Sequence, residues 1–186
     1  MTSHNINASK LKDRNPAEYP ILGILARGPA HGYEISLRLN EEIGSIWRLG
    51  KSNTYALLGR LERDGLVSHE RVGQENLPAK NIFNLTPKGM EVYKEWINKP
   101  VWHIRDMRLE FLTKLWCAQQ LGHQFERSLI SEQLDVCREK THRLEAQVAS
   151  CRNEIEFRSL SFRLTMIRAT VAWLEGLLER PKANEC

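Results

Sequence analysis

The chain has 186 residues, 41% hydrophobic and 27% charged, with a formal net charge of +4. That length builds one domain or two small ones, and the balance is that of a globular protein, not a disordered tail. No apolar run reaches the roughly 18–20 residues that span a bilayer, the polar start MTSHNINASKLKDRNPAEYP lacks the apolar core of an export signal, and the small basic excess permits nucleic acid as a partner without requiring it.

The cysteines at 117, 137, 151 and 186 form no CxxC pair and have no histidine at zinc spacing. Free thiols in a reducing cytosol, no metal and a cytoplasmic location are the expectations.

Residues 1–17 read as a flexible N-terminal arm. YPILGILARG (19–28) is predicted to be a short apolar helix ended by Gly28-Pro29. YEISLRLNEEI (33–43) follows as a second helix, with Ile35, Leu37, Leu39 and Ile43 apolar and Gly44 as its stop. A third helix is expected to open at Ser52, since Ser52, Asn53 and Thr54 are all good N-caps. Leu57, Leu58 and Leu61 form its stripe and Asp64-Gly65 its end. Two strand-like runs, Leu66 to Val72 and Asn81 to Leu85, flank the polar loop GQENLPAK (73–80), which suits a hairpin tip. Thr86-Pro87 then supplies a cap and a first-turn proline for a helix through Met90, Tyr93, Trp96 and Ile97 to Lys99-Pro100.

Beyond Pro100 a helix is predicted over 106–121, carrying Phe111, Leu112, Leu115 and Trp116 and stopped at Gly122. From 123 to 180 there is no proline. Apolar or small residues recur in steps of four and three at Ile130, Leu134, Cys137, Thr141, Leu144, Val148, Cys151 and Ile155, a coiled-coil seam. The seam slips and resumes at Leu160, Leu164, Ile167, Val171, Leu174 and Leu178. A turn between antiparallel helices near Glu156–Ser159 is expected, with one continuous stuttered helix as the competing reading. The fold class is therefore mainly α (α+β): a winged helix-turn-helix over 18–99 and an antiparallel, coiled-coil-like helical domain over 104–180. Ile130, Leu134, Leu144, Val148, Leu160, Leu164, Ile167 and Val171 are assigned to dimerisation. The pattern leaves open whether they pack within or between chains.

Gly50-Lys51-Ser52 spells the end of a phosphate-binding P-loop. Five residues separate Gly44 from Gly50 where the motif needs four, and no strand precedes it. Neither a metal-type pair of histidines nor a GxSxG elbow occurs, so no enzyme and no cofactor is expected. In a winged helix the third helix enters the major groove by its N-terminal half. Here that half offers Lys51, Ser52, Asn53, Thr54 and Tyr55, with Arg60 following and Asn76 and Lys80 in the wing, able to meet phosphates or base edges. Gly59, on the same face as Ser52, Tyr55 and Ala56, admits either close approach of backbone to DNA or simple surface tolerance.

The segments LGILARGPAHGYEISLRL, IWRLGKSNTYALLGRLERDGLV and NIFNLTPKGMEVYKEWI resemble the PadR family of bacterial transcriptional regulators, through HGYE, the tryptophan ahead of a tyrosine-bearing helix ending LERDGLV, and the LTPKG junction. IRDMRLEFLTKLW and the long helices are similar to its longer, virulence-activator-like branch. The resemblance implies a homodimer on a palindromic double-stranded DNA operator. Two rivals stand beside it. One is a sensor of small aromatic or hydrophobic effectors, with Trp96, Trp102, Phe111 and Trp116 at the domain junction. The other is a winged-helix module that binds protein and not DNA.

Overall fold

The computed structural model describes residues 14–74 and 77–179. Helix α1 (Glu18–Ala26) is buried from Glu18 to Leu25, all round its circumference. A helix apolar on every side belongs at the centre, and α1 sits there, against α2 (Gly32–Ile43), α4 (Pro87–Ile97) and α5 (Glu110–Leu121). Gly23 makes this possible: a Cβ there would lie 2.8 Å from the Tyr93 hydroxyl and 3.0 Å from the Trp116 ring. Residues 14–17 correct the expectation of a loose arm. Arg14 pairs with Glu18 at 2.8 Å and with Asp64, and Ala17 is buried. Residues 1–13 lie outside the described ones.

Strand β1 (Ala30–His31) is too short to show a sequence pattern, and the sequence reading missed it. It pairs antiparallel with β3 (Leu77–Leu85), whose other edge holds β2 (Val67–Gln74), in the order β1-β3-β2. The β2–β3 register runs from Val67 opposite Leu85 to Val72 opposite Lys80, with an irregularity before Gln74. His31 caps α2 through its Nδ1, which accepts the Tyr33 amide at 3.1 Å. Leu37, expected inside, is exposed.

Helix α3 (Lys51–Arg63) begins one residue earlier than expected, and Gly50 is its N-cap without a side-chain bond. The three cap-competent residues after it do not cap. Its end is as expected: Gly65 takes φ +70°, its N–H bonds the Glu62 carbonyl and that of Leu66 bonds Leu61, a Schellman closure. Thr86 caps α4 by accepting the Gly89 amide at 3.0 Å, with Pro87 in the first turn.

Between α4 and α5 the chain is clamped. The Lys114 ammonium, almost fully buried, donates to the Lys99 carbonyl at 2.6 Å, pairs with Glu110 at 3.0 Å and lies over the Trp96 ring. Gln133 on α6 (His123–Ser150) is 1% exposed. Its Oε1 accepts the Val101 N–H at 2.7 Å and its Nε2 donates to the Val101 carbonyl at 3.0 Å. The start of the expected helix over 106–121 is a 3-10 turn, Ile104–Met107, and α5 proper begins at Glu110.

Helices α6 and α7 (Glu154–Glu179) form an antiparallel hairpin, pinned by Arg138–Glu175 and Arg168–Glu145 at 2.7 Å each. The turn is at 151–153, not near Glu156–Ser159. Cys151 is extended, and the Asn153 Oδ1 accepts the amides of Ile155 and Glu156. That cap outcompetes the seam register, which had assigned Ile155 to the inside; Ile155 is 72% exposed. The remaining seam closes within one chain: Ile130, Leu134, Leu144, Leu160, Leu164 and Ile167 are buried, with Val148 and Val171 packed partly against them. Of the two arrangements the pattern left open, the one within a chain is present, because the hairpin brings the two halves of the stripe face to face.

Gln133→Leu keeps the side-chain volume but leaves the buried Val101 N–H and carbonyl without partners. A loss of stability of about 1–3 kcal/mol or more is expected, read as a lowered urea midpoint with unchanged slope. An unmoved midpoint would show that the clamp contributes nothing.

Candidate nucleic-acid interface

Helix α3 turns Thr54, Leu57, Leu58 and Leu61 inward. What remains outward in its first two turns is Lys51, Ser52, Asn53, Tyr55 and Ala56. Thr54 is a correction to the predicted contacts. It is fully buried, and its hydroxyl lies 3.3 Å from the Gly50 carbonyl, so it holds the helix start and presents nothing to a partner. The exposed residues sit at the positive end of the helix macrodipole, where anions are favoured.

Tyr55 is held by the neighbouring helix. A Cβ on Gly32 would lie 2.7 Å from its Cε1, so the ring rests on bare backbone at the start of α2. Tyr33, one residue on, is half exposed, and the Lys51 ammonium stands 4.6 Å from its ring centre. Tyr33, Lys51 and Tyr55 thus form one surface across the starts of α2 and α3. The sequence reading missed Tyr33; the signal was the tyrosine directly after Gly32, a glycine the fold needs for contact with Tyr55.

Arg60 is partly committed. Its guanidinium bonds the buried Glu18 carboxylate at 3.2 Å, joining Arg14 there, although half of the side chain stays exposed. Arg63 and Arg48 are exposed as well. In the wing, Ser68 to Val72 are exposed, Arg71 among them. Lys80 lies on β3 opposite Val72. Asn76 falls outside the described residues.

The four aromatics expected to line an effector pocket are used in separate contacts. Trp96 stacks on Tyr19 with ring centres 3.9 Å apart. Phe111 is fully buried, edge-on to Trp173 at 6.0 Å. Trp116 packs near Gly23 with Arg27 above its ring. Trp102 is half exposed beneath Lys140 at 4.1 Å. Core packing therefore accounts for Trp96 and Phe111, and the structure does not gather the set into one site. Trp47 also packs inward: its indole N–H donates to the Thr113 hydroxyl of α5 at 2.6 Å, tying the loop before α3 to the helical part. Among the described residues no group of His, Cys, Asp and Glu is arranged to hold a metal.

Three helices, a two-stranded wing and an exposed reading-helix start define a winged helix-turn-helix protein with a helical-hairpin extension. Residues 21–95 match the model of the transcriptional regulator PadR-like family. The negative transcriptional regulator PadR of Bacillus subtilis (strain 168) is 26% identical over 172 residues, which cover 87% of this chain and 94% of that protein. Among solved structures, Bacillus subtilis PadR in complex with operator DNA is similar at 24% identity and a TM-score of 0.47, over 88% of this chain and 98% of that one. The Vibrio cholerae virulence activator AphA is similar at 23% identity and a TM-score of 0.38, over 87% and 95%. Residues 21–95 thus carry a PadR-like regulator domain, and the proteins matched over the rest of the chain are transcriptional regulators.

Gly59 lies on the outward face of α3, and a Cβ there meets only an Arg63 guanidinium nitrogen, at 3.7 Å. Gly59→Ala is expected to raise stability by up to about 1 kcal/mol, seen as a higher unfolding temperature. If the melting temperature falls, the glycine has a structural role that its surroundings do not show.

Proposed function

We propose that the chain is a cytoplasmic, homodimeric, sequence-specific DNA-binding transcriptional regulator. Residues 18–99 would read DNA and residues 104–180 would hold two copies together. The observation that carries the reading is the contiguous surface of Lys51, Ser52, Asn53, Tyr55 and Tyr33, set at the starts of two helices and free of carboxylates apart from Glu34, which pairs with Arg38. Lys51 and the helix amides suit phosphate, while the Ser52, Asn53 and Tyr55 side chains suit base edges or sugar-phosphate oxygens. Arg63, Arg71 and the exposed part of Arg60 extend the positive surface on either side.

The dimer rests on a different observation. Besides its buried stripe, α7 exposes Phe157 on one side and, on another, Ile155, Phe162, Met166 and Trp173, the last partly covered by Phe111. Their steps of seven, four and seven place them within about 20° of one line along the helix, roughly 140° from the buried stripe. An apolar line of that length on a helix already packed on its other side fits a second copy, whose identical line would face it in a two-fold arrangement. Such a dimer fixes two reading helices for a two-fold-related operator.

In a gel shift on the protein's own upstream DNA, Tyr55→Ala and Lys51→Ala are expected to weaken binding, and affinity should fall linearly with the logarithm of salt as phosphate contacts release counterions. Unchanged affinity in both variants would remove α3 as the reading helix. Specific binding of a protein ligand with no DNA shift at any salt concentration would favour the protein-interaction alternative.

For the dimer, Phe162→Glu combined with Met166→Glu is expected to give a folded monomer by light scattering with an unchanged helical signal. A persistent dimer would place the interface elsewhere.

A further inference from the structure

Glu18, the first residue of α1, is 0% exposed. Its two carboxylate oxygens take different arginines. Oε2 accepts from Arg14 at 2.8 Å, and Oε1 accepts from the Arg60 Nη1 at 3.2 Å. Arg60 belongs to α3, where the ordinary helical partner would be Asp64, four residues on. That carboxylate is taken by Arg14 instead. Arg60 is thereby tied to the central helix and not to its own.

Arg60 also stands beside the reading surface. It is seven residues after the exposed Asn53, so the two lie two turns apart and within about 20° of one line along α3. Ala56 and Gly59, on the neighbouring line, leave the helix backbone nearly bare next to it. The Arg60 side chain is 52% exposed, yet its Nη1 meets a carboxylate closed off from solvent. The guanidinium therefore spans from the interior to the surface. It carries five N–H donors in a rigid fork, and only Nη1 has a side-chain partner among the described residues.

We propose that Glu18 is a positioning residue for DNA binding: it holds one edge of the Arg60 guanidinium, so that the opposite edge meets a DNA phosphate already ordered. The proposal rests on the DNA-binding reading above. A free arginine loses rotamer freedom when it binds, and the bond to Glu18 removes part of that loss in advance. A carboxylate also repels phosphate. Arg14 on the other oxygen offsets its charge, so positioning outweighs repulsion.

The test measures affinity of the full chain for its own upstream DNA over a series of salt concentrations, by fluorescence anisotropy. Arg60→Gln is expected to weaken binding by roughly tenfold. It should also lower the slope of log affinity against log salt by about one. Glu18→Gln removes a negative charge, which through the field alone would tighten binding. Positioning requires the opposite, a loss of about three- to tenfold. In the Arg60→Gln background, Glu18→Gln should weaken binding no further, whereas a general structural role would weaken both backgrounds alike. Arg60→Lys keeps the charge and leaves the buried residue unchanged, but one ammonium has no fork to share between carboxylate and phosphate. It should lose most of what Arg60→Gln loses, and it decides the matter if Glu18→Gln does not fold. The proposal is overturned if Glu18→Gln binds as tightly as the parent or tighter, if it weakens the Arg60→Gln variant as much as the parent, or if Arg60→Lys binds as the parent does. A parent that binds no DNA at any salt overturns the DNA-binding reading itself. Loss of binding in Tyr55→Ala, with none in these variants, overturns only the role of Glu18.

Discussion

The bond pair between Gln133 and Val101 governs how the two parts of this chain meet. Helix α4 ends at Ile97 and α5 begins at Glu110, and between the end of α4 and the 3-10 turn Ile104–Met107 the chain around Pro100 lies in no regular element. Buried peptide groups must be paired, and here side chains do it. Gln133 satisfies both polar atoms of Val101, and Lys114 satisfies the Lys99 carbonyl. Burying a lysine is costly. Burial does lower its proton affinity, while Glu110 opposes that effect. The amine is retained because it joins three things at once: the linker carbonyl, the Glu110 carboxylate and the face of Trp96. Trp96 in turn stacks on Tyr19 of the central helix. The connection is thereby a fixed strut. With Trp47 bonded to Thr113, the loop leading into α3 is referenced to the same helix, α5. These bonds fix the position of α3 relative to the helical part.

Elements with local chemistry were legible in the sequence. The Thr86-Pro87 start and the Asp64-Gly65 end are written in neighbouring residues, and the structure closes them with the expected bonds. The start of α3 shows the limit of that logic. Ser52, Asn53 and Thr54 can each cap, yet the helix begins before all three, because the stripe of Leu57, Leu58 and Leu61 extends back through Thr54 and draws its hydroxyl inside. The hairpin turn shows a second limit. A heptad pattern runs straight through Cys151 to Ile155, while the Asn153 cap is a single residue and is easily outweighed when periodicity is counted. Gln133 was not legible at all, since nothing local relates it to Val101, 32 residues away. The same holds for the aromatics. Composition placed Trp96, Trp102, Phe111 and Trp116 near the junction, but only geometry separates a stacked core ring from an exposed one.

The letters Gly50-Lys51-Ser52 illustrate why context decides chemistry. A P-loop wraps successive amides round a phosphate and needs glycine for conformations other residues resist. Gly50 here is extended at φ −67°, which any residue adopts, and a Cβ on it would meet nothing within 4 Å. The glycine is not shaping a cradle. What the segment keeps is the positive end of a helix and a lysine, and that lysine lies over Tyr33 on the outer surface, suited to a phosphate presented by an extended partner and not to one enclosed within the protein.

Helix α7 carries the architectural consequence. One stripe, from Leu160 to Leu174, is closed by α6; the other, from Ile155 to Met166, is left outward, and Trp173 at its end meets Phe111 of α5. A monomer gains nothing by exposing Phe162 at 67%, and scattered apolar residues would need no explanation. These are not scattered: their spacing repeats the helix period over nearly the whole helix. The seam apparent in the sequence is the inward stripe throughout, with Ile155 alone counted into it from the outward face, and the slip marks the turn at 151–153. The inner face of α7 closes the hairpin within one chain, and its outer face is left as a rigid apolar surface.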